Sequence, residues 1–208
     1  MCSGRAKLHL RTADQKQSFL SGEFGRAPLL HVSTHALADF EAPERSRLLF
    51  APAAAGGPNQ YVFLKELYDA DFHGVDLATL SACETDKGRL VRGEGIQAFS
   101  RALLSRGARS ALTTLWRVPD GPTAEFMKQF YFFLLVKGEP KAEALRQAKL
   151  KFLRSKTELA EPRYWAAFVL NGEGATTAPA YISWSRLSFG VLLLTITAVA
   201  GASWMRHR

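Results

Sequence analysis

Two residue types that can carry nucleophilic and acid–base chemistry each lie at the end of an apolar run in this 208-residue chain. His35 belongs to LLHVSTHA, residues 29–36, and Cys83 belongs to LATLSACET, residues 77–85. A nearby imidazole can give a cysteine the thiolate character that a nucleophile needs. A tight turn after the strand can also leave backbone N–H groups free to bind an oxyanion. Either residue alone would be ordinary content of a buried strand, whereas together they indicate a nucleophile and its base.

The elements that must position these two residues are predicted to alternate along the chain. We expect strands at 29–33, 74–80, 108–116 and 164–170, and helices at 12–20, 61–70, 93–107, 119–138 and 140–156. Residues 38–60, rich in Pro and Gly, are predicted to be an irregular loop. This alternation is typical of an α/β fold with a mostly parallel sheet flanked by helices. Ligands of such sheets bind beyond the carboxyl ends of the strands, where His35 and Cys83 fall.

Several blocks of the sequence resemble, in order, the successive signatures of CHAT domains, bacterial relatives of caspases and separases: HVSTHA, LSACET, GEGIQAFSRALLSRGARSALTTLWRVPD, FYFFLL and YWAAFVLNGE. The resemblance implies a caspase-like fold and a cysteine endopeptidase, with His35 as general base and Cys83 as nucleophile. It also implies an oxyanion hole built from the backbone N–H groups of Ala36 and Cys83. The histidine comes first and the separation is 48 residues, similar to the roughly 50 residues of caspases.

The carboxyl-terminal segment differs in character from the rest of the chain. Residues 187–205 contain no charged side chain, and Arg186 and Arg206 flank them. At about 1.5 Å per residue, a helix of this length nearly crosses a hydrocarbon layer of roughly 30 Å. Trp184 and Trp204 lie at its two ends, where interfacial aromatic residues are enriched. We therefore predict a single-pass transmembrane helix, with the preceding domain in the cytoplasm because the amino terminus lacks a signal-peptide core.

The expected organisation has four parts: residues 1–27 as an upstream part of the domain, 28–174 as the CHAT-like domain, 175–186 as a linker and 187–205 as the membrane helix. CHAT domains commonly follow tetratricopeptide repeats and carry more sheet before the histidine strand. The resemblance therefore implies an upstream partner that contains repeats. A fragment, a truncated product and a minimal domain all fit the sequence.

Charge and cysteine content limit the ligands that this chain is expected to take. The formal net charge of +8 permits contact with anionic surfaces. A basic helix over 141–156 suits either anionic lipid or a solvated face, while the absence of interleaved aromatics disfavours nucleic acid. The two cysteines form no CxxC pair. His31 and His35 would lie about 13 Å apart along a strand, too far to share a metal. We expect neither a metal nor an organic cofactor.

Other polar residues near the two apolar runs have weaker claims to a role. Three carboxylates could orient the imidazole, although a dyad often suffices and the last is better explained as a helix cap: Asp39, Glu84 and Asp120. Four cations could select an acidic substrate residue or could be solvated: Lys87, Arg89, Arg92 and Arg117. His73 is expected to be a solvated side chain. Two functions remain open: a membrane-tethered cysteine endopeptidase that cuts a protein, and a catalytically inactive CHAT-type interaction or signalling module at the membrane.

Overall fold

A six-stranded mixed sheet forms the centre of the part of the chain that the computed structural model describes, residues 15–21, 27–37, 39, 42–50, 52, 57–84 and 94–178. For residues 15, 82–84 and 94–97 only the backbone is described. The strands are β1 (Leu29–Leu37), β2 (Arg47–Phe50), β3 (Gln60–Phe63), β4 (Leu77–Glu84), β5 (Ser110–Thr114) and β6 (Phe168–Gly172). Their spatial order is β3-β2-β1-β4-β5-β6.

The parallel part of the sheet is its centre. β4 pairs in parallel with both β1 and β5, while β2, β3 and β6 pair antiparallel with their neighbours. Four of the six described strands therefore run in one direction, although most of the neighbouring pairs are antiparallel. Short connections explain the antiparallel β2 and β3, because a parallel pair needs a crossover of a dozen or more residues. β6 is antiparallel to β5 although α4, α5 and α6 lie between them in the chain. The expected α/β class is confirmed. The two parallel pairs join β1, β4 and β5, and the candidate site residues His35 and Cys83 lie on the first two of these strands.

Helices cover both faces of the sheet and bury two apolar cores. They are α1 (Gln15–Leu20), α2 (Leu64–Leu67), α3 (Glu94–Ser105), α4 (Asp120–Tyr131), α5 (Lys141–Leu153) and α6 (Pro162–Trp165). One core joins α1, α2 and α3 to the sheet through Phe19, Phe99 and Leu103. The other joins α4, α5 and α6 to the opposite face, where the rings of Phe126 and Phe168 stack with centroids 3.8 Å apart. Phe126 and Phe130 of α4 are thus core residues.

Several predicted boundaries are wrong. Residues 38–60, predicted as a loop, contain β2, and 61–70, predicted as a helix, begin in β3 before the short α2. Both strands are four residues long, so neither shows a clear alternation, and long-range pairing alone defines them. Residues 164–170 begin in α6 and become a strand only at Phe168. Pro119 occupies the cap position of α4 without a side-chain cap bond, so Asp120 is the first helical residue and not the predicted cap.

The predicted transmembrane helix at 187–205 lies outside the residues that the structure describes. Among the described residues, no helix combines the length and the apolar character that crossing a membrane requires.

Candidate functional site

The sheet places His35 and Cys83 next to each other. β1 and β4 are adjacent parallel strands, and their register pairs the Cα position of His35 with that of Cys83. Neighbouring strands lie about 4.8 Å apart, so the two backbones are at contact distance. His35 comes two residues before the end of β1, and Cys83 comes one residue before the end of β4. The expected placement at the carboxyl edge of the sheet is therefore observed.

Strand alternation explains why His35 is exposed. Along β1, Leu30 and Ala36 are buried on the face that packs against α1, α2 and α3, whereas His31, Ser33 and His35 are exposed. Because successive side chains in a strand point to opposite faces, apolar residues at the even positions fix the histidines on the other face. The imidazole of His35 is thus available to a ligand at the strand end.

Ala36, the expected source of an oxyanion N–H, occupies the last paired position between β1 and β4, opposite Glu84. On its other side it is paired with Leu48 of β2. Its side chain is buried in the core. Strand N–H groups lie in the plane of the sheet, so a donor becomes free for a ligand only where the pairing stops. The oxyanion role of Ala36 stays a prediction.

A hydrogen-bonded group deeper in the same face was not predicted from the sequence. The Tyr131 hydroxyl, at the end of α4, donates to Thr79 Oγ1 at 3.0 Å, and His31 Nδ1 lies 2.9 Å from the same oxygen. Hydroxyl groups and a neutral imidazole can each donate and accept, so the tautomer of His31 sets the direction of its bond with Tyr131.

Desolvation disfavours the charged form of both rings of this group. Burial among the surrounding atoms lowers the pKa of His31 although its side chain remains exposed in part. Burial likewise raises the pKa of Tyr131 to about 12, against a smaller opposing effect of the bond to Thr79. The sequence offered one signal for this group: Thr79 and His31 occupy equivalent positions in the two apolar runs, four residues before Cys83 and His35.

The remaining candidates are not all brought to the site. Asp39 accepts a hydrogen bond from the Ala42 N–H at 2.9 Å, which shapes the turn between β1 and β2. Arg117 is exposed just beyond the end of β5, at the same edge as His35. His73 is exposed, as expected, with Nδ1 2.5 Å from Asp71 Oδ1. Residues 85–93, which include Lys87, Arg89 and Arg92, lie outside the part of the chain that the structure describes. The side chains of Ala82, Cys83 and Glu84 lie outside it as well.

Metal-binding side chains are not clustered in the described part of the chain. No group of three or more His, Cys, Asp or Glu residues there is arranged to hold a metal ion. Nδ1 of His31, which could otherwise bind a metal, is hydrogen-bonded to the Tyr131 hydroxyl.

A buried ion pair lies at the other end of β4, away from Cys83. The fully buried Lys141 places Nζ 2.9 Å from Asp76 Oδ1 and donates to the Asp76 carbonyl oxygen at 3.1 Å. The Ser110 hydroxyl donates to the same carbonyl at 2.6 Å. Lys141 was counted among the basic residues of a predicted surface helix, and this is corrected: it anchors the start of α5 to the starts of β4 and β5.

Comparison with known proteins gives this arrangement a family. Residues 3–173 match the sequence model of the CHAT domain. The chain belongs to the CHAT domain family. It is also 36% identical over 98 residues to tetratricopeptide repeat protein 28 of Mus musculus, and 34% identical over 98 residues to the Homo sapiens protein of that name. Each alignment covers 47% of this chain and 4% of the relative, so the match is confined to a small part of much longer proteins.

Proposed function

We propose that this CHAT domain is a caspase-like cysteine endopeptidase that uses His35 and Cys83 as a dyad. The observation that carries the proposal is the register of β1 and β4, which sets these two residues side by side at the carboxyl edge of the sheet. Parallel sheets bind ligands at that edge. The exposed side chain of His35 gives a substrate access to the dyad.

The proposed reaction is acyl transfer followed by hydrolysis. His35 takes the thiol proton of Cys83, and the thiolate sulfur attacks the carbonyl carbon of the scissile peptide bond. The C–N bond then breaks as the imidazolium of His35 gives its proton to the leaving amine. Water, activated by His35, hydrolyses the thioester and frees Cys83. The N–H groups of Cys83 and Ala36 would hold the oxyanion in both steps.

Three variants and one control test the dyad in kinetic terms. We expect His35→Ala to lower kcat/KM for a protein or peptide substrate by about 10²- to 10⁴-fold, the usual range for general acid–base catalysis. Cys83→Ala should abolish turnover, and the double variant should be no worse because the two residues act as a unit. The control is His73→Ala, at an exposed histidine that precedes the amino-terminal end of β4, whereas Cys83 lies at its carboxyl end. Equal activity of His35→Ala and His73→Ala would refute the role of His35 as general base.

We further propose that residues 187–205 tether the domain to a membrane, with the domain on the cytoplasmic side. The support is sequence alone: nineteen uncharged residues, flanking arginines and a tryptophan near each end. The two relatives are named tetratricopeptide repeat proteins. We therefore also propose that a region or partner with such repeats presents the protein substrate to the dyad.

A further inference from the structure

Two rows of polar residues, one on β1 and one on β4, run from the dyad along one face of the sheet. They occupy every second position of the strands, and the register pairs each residue of one row with a residue of the other: His31 with Thr79, Ser33 with Ser81, and His35 with Cys83. We name these six positions the polar strip. Strands at the centre of a parallel sheet are normally apolar on both faces. The opposite face of the same strands follows that rule with Leu30, Ala78 and Leu80.

The strip is open along β1 and closed at its far end. His31, Ser33 and His35 are exposed, and Ser81 is half-buried. At about 3.3 Å per residue, the serine pair lies roughly 6.6 Å below the dyad and the His31 level roughly 13 Å below it. Tyr131 closes the strip there through its bonds to His31 and Thr79. A side chain that enters beside His35 therefore meets the two serines, whereas the His31 level lies beyond the reach of an Asn or Gln side chain.

The hydrogen-bonding groups of the strip below the dyad are three hydroxyls and one imidazole. The strip contains no Asp, Glu, Lys or Arg. The serine hydroxyls both donate and accept. Two cations of the described residues lie on neighbouring elements and not in the strip: Arg47 of β2 lies 5.3 Å over the Tyr61 ring, and Arg117 follows β5. A charged side chain in the strip would lose water without gaining an opposite charge, which is costly.

We propose that the polar strip is the subsite for the substrate side chain at the scissile bond, and that it selects an uncharged hydrogen-bonding side chain, an amide above all. An amide brings both donors and acceptors, which matches the serine hydroxyls because these also donate and accept. Sites built to hydrogen-bond a substrate group reject analogues that leave their polar atoms unpaired. This inference rests on the proposed peptidase function of the same dyad.

The test uses the full chain and tetrapeptide aminomethylcoumarin substrates that differ only in the residue before the scissile bond: Asn, Gln, Asp, Lys, Arg or Leu. We expect kcat/KM for Asn or Gln to exceed that for Asp and Leu by at least about tenfold, the effect of one or two hydrogen bonds. Ser33→Asp places a carboxylate in the strip and should shift the preference to Lys or Arg. Ser33→Ala should lower the preference for the amide. Ser21→Asp, at an exposed serine near α1, is the matched control and should leave the order unchanged.

The outcomes separate the subsite from the peptidase. Hydrolysis that depends on Cys83 but prefers Asp or Leu would overturn the subsite and leave the dyad intact. An unchanged order of substrates in both Ser33 variants would overturn it as well. Hydrolysis that persists in Cys83→Ala, or none of any substrate by the wild-type chain, would overturn the proposed function and the subsite together.

Discussion

At the scale of single residues, the phenol of Tyr131 joins α4 to β1 and β4. Tyr131→Phe removes the hydroxyl that His31 and Thr79 share and leaves two polar groups without that partner. We expect the free energy of unfolding to fall by about 1–2 kcal/mol, measured by urea denaturation. Tyr68→Phe is the control, because Tyr68 is 47% exposed, and should change it by less than about 0.5 kcal/mol. Equal effects of the two substitutions would refute the structural role of the Tyr131 hydroxyl.

The lowered pKa of His31 predicts how stability depends on pH. Desolvation disfavours the imidazolium in the folded chain, so below the ordinary value of 6.5 the unfolded chain binds more protons at this site. Stability is therefore lost as the pH falls from 6.5 toward the folded-state pKa. His31→Gln should flatten the dependence of the unfolding free energy on pH below 6.5. The lowered pKa values of Asp71 and Glu143 act at lower pH. An unchanged slope in the variant would contradict the assignment.

The residue types of the dyad could be predicted, but the group below it could not. His35 and Cys83 each end an apolar run, so local sequence was enough to place them at strand ends. Tyr131 is 100 residues from His31 in sequence, and their contact depends on how α4 lies on the sheet. Lys141 was expected on a solvated face because basic side chains are rarely buried. Only its partner Asp76, 65 residues away, explains why it is inside.

At the scale of elements, the buried pair of Lys141 and Asp76 fixes α5 to the sheet. Lys141→Met removes the ammonium and leaves the Asp76 carboxylate buried, with Arg109 3.8 Å away as the remaining cation. We expect a loss of roughly 3–5 kcal/mol in the free energy of unfolding, measured with guanidinium chloride. Lys128→Met is the matched control, since Lys128 is 74% exposed and 3.6 Å from Glu125. Its change should be below about 1 kcal/mol. A loss no larger for Lys141 than for Lys128 would contradict the anchoring role.

Element types were predictable where one periodicity ran long enough. α3 and α5 each extend over a dozen residues or more, and both predicted helices are confirmed. β2 and β3 are four residues each, so their pairing in space, and not their local pattern, makes them strands. α4 is followed by a π-helical turn, Phe132–Val136, directly after Tyr131. Sequence periodicity does not distinguish that turn from a continued α-helix, although such turns are frequent at functional sites.

At the scale of the whole molecule, the family match extends closer to the amino terminus than the resemblance in the sequence indicated. The signatures start near residue 28, whereas the CHAT match begins at residue 3. The stretch before β1 contributes a helix to the core, with Phe19 buried against Phe50 and Phe72. The motifs around His35 and Cys83 were enough to indicate the family. The segment before β1 carries no such motif, so the sequence alone did not show how it packs in the core.

The proposed membrane tether makes a prediction that concerns the full chain. If residues 187–205 cross a bilayer, the protein should stay with the membrane pellet after extraction at alkaline pH. Replacing Leu192, Leu193 and Leu194 with Arg should release it, because charges at the centre of a span cost roughly 2.5–3.5 kcal/mol each. Release of the wild-type chain under the same conditions would refute the tether and leave the dyad untouched.

The most direct test of the His35–Cys83 dyad is covalent labelling of the detergent-purified chain. A library of peptide acyloxymethyl ketones should label the wild-type protein at Cys83, and labelling should disappear in Cys83→Ala and in His35→Ala. Mass spectrometry of the labelled peptide would locate the bond. A wild-type chain that no probe labels, or a His35→Ala variant that is labelled as fast as wild type, would contradict the dyad and favour a CHAT-type module that binds without cutting.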